Sequence, residues 1–345
     1  MFILGIETTC DETSAAVVRD GREVLSNVVS SQIDLHAKFG GVVPEVAARA
    51  HLESLNVIVE EALARAGVTD PSQQLDGVAV ANCPGLIGCL LVGTAAAKGY
   101  AFAWQKPLLA VNHVQAHLYS VLLQDETTPR VAPPAFPAVG LVMSGGHSSL
   151  YHVASFQELR RIGQTQDDAV GEAFDKVAAI LQLGYPGGPL IDKLAEDGDP
   201  HGVKLPVSHL EKESLNFSFS GLKTAVLYLV NGRQGRERDA SALTRQQKAD
   251  VAATFQRVAA EMLVEKIRRA ATRFETRSIL VGGGVSANRA IRKAVVELGV
   301  ALGIPVFIPP MRYCTDNGAM IAGLGYELLR AGRMADLALE TVATV

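Results

Sequence analysis

Cysteine is scarce in this sequence of 345 residues, limited to Cys10, Cys83, Cys89 and Cys314, and none pair as C-x-x-C. That excludes a disulfide framework and points to a reducing compartment. Excess charge is also missing. Lys and Arg total 32 against 36 Asp and Glu, a net charge of −4. A bulk basic footprint for nucleic acid is therefore excluded, and any RNA contact must come from a local patch or a partner. No G-x-x-x-x-G-K-[ST] motif occurs, so a P-loop phosphate site is excluded. The opening run reaches Glu7 without a basic residue, so no signal peptide is expected. The longest apolar stretch, residues 84–97, is expected to be too short for a bilayer and stops at Lys98. A cytoplasmic protein without membrane contact is expected. Hydrophobic residues make up 48% and charged residues 20%, which excludes a disordered chain. At ~150 residues per domain the length suggests two domains.

The patterning is that of an α/β protein. Strands are expected over residues 2–7, 14–19 and 23–30, with a polar, hydroxyl-rich turn, Thr8 to Thr13, between the first two. A helix over 44–66 has proline in its first turn and Gly67 at its C-terminal end. A buried strand (76–81), a small-residue helix (86–104), another strand (108–111) and a helix capped by Asn112 follow. Residues 124–137, with Pro129, Pro133, Pro134 and Pro137, read as a linker. Beyond it, Val139-Gly140-Leu141, a Ser/Gly-rich turn and a strand repeat the order of Leu4-Gly5-Ile6, a Thr-rich turn and a strand. Two halves with one opening suggest a duplicated α/β domain with a cleft, divided as residues 1–135 and 136–345, the last helix packing back on the first half.

Three constellations carry chemistry. His113 and His117 lie four apart on the helix begun by Asn112, so their imidazoles leave one face, as two ligands of one divalent ion would. The plainer alternative is one core histidine and one exposed. The pair follows a buried strand, where open α/β sheets place ligands, and Asp316 offers a third donor from a Cys-Thr-Asp-Asn turn. Two histidines and a carboxylate suit iron(II) or zinc. Valine at 114, where H-E-x-x-H proteases need glutamate, disfavours a zincin mechanism. Second, Ser144-Gly145-Gly146 and Gly282-Gly283-Gly284 each follow an expected strand. Each alone is as readily a tight turn as a loop whose backbone N–H groups approach an anion, but loops from two similar halves would pinch a phosphate-bearing ligand. Asn288 would bind a ribose or base edge, or simply cap a helix. Third, Glu172 and Asp175 share a helical face, which is either an ordinary solvated surface or a ligand-facing one, and Asp192 follows the turn at Gly187-Gly188, a place from which to hold sugar hydroxyls. Lys266, Arg268, Arg269, Arg273 and Arg277, and a second group at Arg233, Arg236 and Arg238, are modest basic clusters, as suited to a solvated surface as to RNA.

Taken in order, Glu7-Thr8-Thr9-Cys10-Asp11-Glu12-Thr13-Ser14, His113-Val114-Gln115-Ala116-His117, Ser144-Gly145-Gly146-His147, Gly171-Glu172-Ala173-Phe174-Asp175-Lys176, Phe217-Ser218-Phe219-Ser220-Gly221-Leu222-Lys223, Gly282 to Asn288 and Cys314-Thr315-Asp316-Asn317 resemble the TsaD family of tRNA threonylcarbamoyladenosine biosynthesis, once called glycoproteases, in its bacterial form. The resemblance covers residues 3 to about 330. It implies a duplicated actin-like/Hsp70-like ATPase fold, two RNase H-like lobes with a central cleft. It implies transfer of a threonylcarbamoyl group from threonylcarbamoyl-AMP to N6 of the adenosine beside the anticodon of tRNAs reading codons that start with A. The family's metal ligands fall on His113, His117 and Asp316, with Fe²⁺ expected and Zn²⁺ the alternative. Its acyl-adenylate contacts fall on Val142, Met143, Ser144, Gly145, Gly146, Asp175, Gly188, Asp192 and Asn288. Implied partners are tRNA, the paralogue TsaB and the small ATPase TsaE.

Such a reaction starts from an activated mixed anhydride. It needs a positioned amine and stabilised charge on the carbamoyl oxygen and the leaving phosphate, not a nucleophilic side chain. Asp11 or Glu12, in the first polar turn, is the expected acceptor of the amine proton. A small-molecule kinase of the same fold would instead hold Mg²⁺ through carboxylates and water. A non-catalytic scaffold is the remaining alternative.

Overall fold

The computed structural model describes residues 1–128, 130–206, 213–232 and 239–344. The chain divides into two compact units, residues 1–133 with 309–345, and residues 134–308. The boundary near 135 expected from the prolines lies within two residues of the first division. The division places residues 309–345, the last helix and Asp316 included, with unit 1 rather than with residues 136–308.

Unit 1 holds β1 (Phe2–Glu7), β2 (Glu12–Arg19), β3 (Glu23–Ser31), β4 (Gly77–Cys83) and β5 (Leu108–Asn112), in the order β3-β2-β1-β4-β5. The β1–β2–β3 pairs are antiparallel, and β1–β4 and β4–β5 are parallel. Ile3, Leu4 and Ile6 of β1 are all fully buried, as expected of a central strand covered on both faces. One face, with Leu4, Ile6, Val17, Val78 and Val80, shares a core with Val59 and Leu63 of the Pro44–Arg65 helix and Ala97 of the Ile87–Trp104 helix. The other face receives the Gly318–Arg330 helix. A Cβ on Gly5 would stand 2.2 Å from the Gly318 carbonyl oxygen, and one on Gly318 would stand 2.7 Å from the Ala16 nitrogen. Only glycine at both positions permits that approach.

Unit 2 repeats the plan. β6 (Ala138–Met143), β7 (Ser148–Ser155), β8 (Glu158–Gln164), β9 (Ser278–Gly282) and β10 (Val306–Phe307) are ordered β10-β9-β6-β7-β8. β6–β7–β8 is antiparallel, and β6–β9 and β9–β10 are parallel. Each strand of unit 1 has its counterpart, and Gly5 and Gly140 hold matching places in β1 and β6. Its core joins Val139, Leu141, Leu150, Phe174 and Phe255 with the Val170–Ile180 and Arg245–Arg273 helices. The latter starts on a Thr244/Gln247 capping box.

β8 and the Ser220–Asn231 helix have no counterpart in the sequence reading. The run Glu-Leu-Arg-Arg-Ile-Gly-Gln is an edge strand with little apolar alternation, so its periodicity is silent. The apolar stretch reaches further than expected: Ile87–Trp104 is a helix long and apolar enough to cross a membrane by length and composition. In unit 1 it packs on β4 and the Pro44–Arg65 helix.

Candidate functional site

In unit 1 the candidate ligands gather where β1, β5 and the Gly318–Arg330 helix end or begin. Asn112 closes β5, and its side-chain oxygen accepts the Gln115 N–H at 3.0 Å, starting the His113–Tyr119 helix. His113 and His117 stand one turn apart with ring centroids 4.6 Å apart and planes at 81°. Asn317 caps the Gly318–Arg330 helix by accepting the Met320 N–H at 3.0 Å, and the Gly318 N–H donates to the Ser14 hydroxyl at 2.8 Å. Asp316, one residue earlier, is thereby carried to the imidazoles. Its Oδ1 lies 3.1 Å from His117 Nε2 and 3.6 Å from His113 Nε2. Donors sharing one ion at bonds near 2.1 Å stand roughly 3–3.5 Å apart, so the three residues fit a cation. Both nitrogens of His117 are buried without a hydrogen-bond partner, a costly state unless a ligand takes the lone pair. All three candidate ligands belong to unit 1, whereas a division at residue 135 would set Asp316 in the other half.

The segment bearing Asp316 is clamped from outside. Arg312 donates to Asp125 at 2.9 Å and to the Thr127 hydroxyl at 2.7 Å, and the Tyr313 hydroxyl donates to Asp125 at 2.7 Å. Burial pushes Asp125 up, but the Tyr313 and Thr127 hydrogen bonds and Arg312 outweigh it and hold the carboxyl down at about 2. Sequence reasoning missed this clamp, because its halves lie far apart in the chain.

The Thr8–Thr13 turn forms the adjoining wall. His51 Nε2 donates to the Cys10 carbonyl at 3.0 Å, and its Nδ1 accepts the Thr13 hydroxyl at 2.7 Å. Burial lowers the His51 pKa. Burial, then the negative neighbours Asp316 and Asp11, push Glu12 up to about 10; burial and Asp11 likewise push the Cys10 thiol up. Burial pulls His113 down, yet Glu7 and Asp316 reverse this and hold it up at about 9. Asp11, Glu12 and Asp316 thus crowd acidic groups beside two imidazoles, and a dication is the species that relieves such crowding.

Unit 2 collects the other candidates at one end of its sheet. Both glycine loops follow neighbouring parallel strands, β6 and β9, so they come from one unit rather than from two halves. A Cβ on Gly283 would stand 2.2 Å from the Met143 carbonyl oxygen, and one on Gly171 would stand 2.5 Å from the Ser144 carbonyl oxygen. The Val170–Ile180 helix therefore starts against the Ser144 turn. Gly145, Gly146 and Gly188 meet nothing within 4 Å of a built Cβ, an open cradle of main chain. The side chains of Val142 and Met143 are buried, so any ligand contact they make is through the main chain. Asp175 accepts the Gly187 N–H at 2.7 Å. Asp192 accepts from Arg289 at 2.7 Å through Oδ2, while its buried Oδ1 has no hydrogen-bond partner. Asn288 caps the Arg289–Leu302 helix and donates to Gln256 at 2.7 Å. Glu172 pairs with Lys176. Of the basic clusters, Arg268 and Arg269 pair with Glu265 and Lys266 donates to the Ser214 carbonyl. Arg273 and Arg160 stand over the Phe274 ring. Arg233, Arg236 and Arg238 lie outside the described residues.

Solved structures share this architecture. HypF from T. kodakarensis superposes with a TM-score of 0.59 at 16% identity, covering 96% of this chain and 48% of that one. Component A of the Acidaminococcus fermentans (R)-2-hydroxyglutaryl-CoA dehydratase gives 0.52 at 15% identity, with 95% and 98% covered. These likenesses concern the fold, which is the duplicated α/β actin-like ATPase fold. At sequence level, the tRNA N6-adenosine threonylcarbamoyltransferase TsaD family profile matches residues 23–323. A protein of that name from Symbiobacterium thermophilum is 51% identical over 341 residues, 99% of this chain and 95% of its own. Another from Anaeromyxobacter dehalogenans strain 2CP-C is 49% identical over 334 residues, 96% of each. The chain belongs to the tRNA N6-adenosine threonylcarbamoyltransferases, transferases that modify tRNA by placing a threonylcarbamoyl group on N6 of an adenosine.

Proposed function

We propose that the donor is threonylcarbamoyl-AMP, that the acceptor is the adenosine beside the anticodon of tRNAs reading codons that start with A, and that transfer depends on a divalent cation held by His113, His117 and Asp316. The observation that carries this reading is the convergence of those three side chains within 4.8 Å of one another. Two imidazoles and one carboxylate favour iron(II), with zinc as the alternative. When bound, the ion supplies Lewis acidity and a fixed point for orienting the threonyl part of the donor.

The chain's own residues do the rest. The main chain at Val142, Met143, Ser144, Gly145, Gly146 and Gly188 receives the adenylate phosphate, and Asp192 holds its sugar hydroxyls. Asp175 keeps the Gly187–Leu194 helix against this cradle. Asn288 has one amide hydrogen and one oxygen lone pair left for a nucleoside edge. The adenosine N6 forms the new bond to the carbamoyl carbon, the carbon–oxygen bond to phosphate breaks, and AMP leaves with the electron pair. The amine proton passes to Asp11 or Glu12. Burial and the negative charges of Asp316 and Asp11 raise the proton affinity of Glu12, which makes its ionised form the stronger base of the two. The reaction runs in the cytoplasm with TsaB and TsaE as protein partners, and the absence of a Walker motif supports a separate ATPase.

The test is reconstitution of the purified protein and its partners with unmodified tRNA, threonine, bicarbonate and ATP, followed by mass analysis of nucleosides. The expected product disappears on His113→Ala and falls at least 100-fold in the Asp11→Ala, Glu12→Ala double variant. Full product from His113→Ala would reject the cation's role, and an unchanged rate in the double variant would reject the assigned base.

A further inference from the structure

Glu7 closes β1 and is fully buried, where a carboxylate is costly without compensation. Its Oε1 accepts the Thr9 N–H at 2.6 Å, and its Oε2 lies 2.9 Å from His113 Nδ1. The Thr9 hydroxyl stands 3.2 Å from the same ring nitrogen. Among the described residues, no lysine or arginine pairs with Glu7; its ionic partner is His113.

The duplicated fold shows that the strand itself does not need this acid. Gly5 and Gly140 occupy equivalent places, with Glu7 opposite Ser14 on β2 and Val142 opposite Ser149 on β7. The residue matching Glu7 in unit 2 is therefore Val142, a buried apolar side chain. Unit 1 keeps a carboxylate where its own repeat packs valine, and the ring it addresses is a candidate ligand. The two imidazoles also differ. His117 has no hydrogen-bond partner on either nitrogen, whereas His113 has two neighbours at Nδ1.

A carboxylate offers acceptors only, so the His113 nitrogen facing it must carry the proton. In the neutral ring, the form in which an imidazole ligates an ion, that choice of tautomer leaves the lone pair on Nε2, the nitrogen turned toward Asp316. Carboxylate–histidine pairs of this kind fix ring orientation and strengthen the ligand at metal sites.

We infer that Glu7 is the positioning residue of the cation site: it locks His113 with Nε2 free, and it adds the buried negative charge that tightens binding of a divalent ion. This rests on the cation reading above. It also explains why Glu7→Gln is informative. Glutamine has one carbonyl oxygen and one NH₂ in place of two acceptor oxygens, so it cannot accept from both Thr9 N–H and His113 Nδ1–H. Either the turn loses its hydrogen bond, or the ring receives a donor and Nε2 becomes protonated.

The experiment uses the full-length chain and Zn²⁺ or Co²⁺ alone. Zinc affinity is read by competition with a chromogenic chelator, and Co²⁺ coordination by its visible absorption band. Wild type is expected to bind one ion and His113→Ala to lose it. Glu7→Gln is expected to bind 10–100-fold more weakly, with a shifted Co²⁺ band, while its circular dichroism without metal stays that of wild type. Glu7→Val, copying the repeat, is a second variant expected to fold and to show the same weakening. If wild type and His113→Ala bind alike, the cation reading itself falls. If His113→Ala loses the ion but Glu7→Gln and Glu7→Val bind as wild type, only the role of Glu7 is overturned. Unfolding of both Glu7 variants in the absence of metal would overturn it as well, by making Glu7 a structural residue.

Discussion

His113, His117 and Asp316 are ordinary side chains made unusual by what surrounds them. Two of the three are buried and the third half-buried, and Glu7 and the Thr9 hydroxyl at Nδ1 set His113 apart from His117. Asp125 shows the same logic at the outer edge. It holds Arg312 and Tyr313, the residues that lead to the Asp316 turn. Its folded pKa of about 2 lies below the ordinary carboxyl value of 3.8, so its stabilising effect is full above about pH 4 and fades as the pH falls through 2. Asp125→Asn is expected to lower stability at pH 7 by about 1–2 kcal/mol. Urea unfolding should show that difference shrinking between pH 4 and pH 2; a difference independent of pH would mean that the charge is irrelevant.

Elements deliver these residues through contacts with no tolerance for extra atoms. The Gly318–Arg330 helix lies on β1 and β2 because Gly5 and Gly318 leave room for it, and Asp316 sits just ahead of that helix. Gly5→Ala is therefore expected to cost roughly 1–3 kcal/mol and to weaken Zn²⁺ binding, since the helix and its carboxylate must move away from the histidines. Gly99, inside the Ile87–Trp104 helix, has nothing within 4 Å of a built Cβ. Gly99→Ala should raise stability by about 0.5–1 kcal/mol with zinc affinity unchanged. Thermal unfolding and chelator competition on the two variants check both expectations, and equal effects would refute the contrast.

Across the whole molecule, one topology has been put to two uses. Unit 1 gathers the candidate cation ligands at the ends of β1 and β5; unit 2 ends β6 and β9 in open glycine main chain. Because every proposed ligand lies in unit 1, Zn²⁺ at 100 times its dissociation constant should stabilise that unit by about 2.7 kcal/mol. Hydrogen exchange should then slow first in β1, β5 and the His113–Tyr119 and Gly318–Arg330 helices, with the β6–β9 core following less or not at all. Equal slowing in both units would contradict this placement.

Local pattern was enough for much of this. The i,i+4 histidines, the Asn112 cap, the proline-rich break near 135 and the repeated strand–turn–strand opening are all set by neighbours in sequence, so their periodicity and capping chemistry are legible without coordinates. What only the tertiary structure decided was long-range. The sequence could not say that the chain ahead of the last helix, from 309, returns to unit 1, that β6 and β9 pair and so set both glycine loops side by side, or that Glu7 lies against a ring 106 positions away. Those facts depend on strand order and on glycine-to-glycine approach, which are properties of packed surfaces, and a one-dimensional pattern does not carry them.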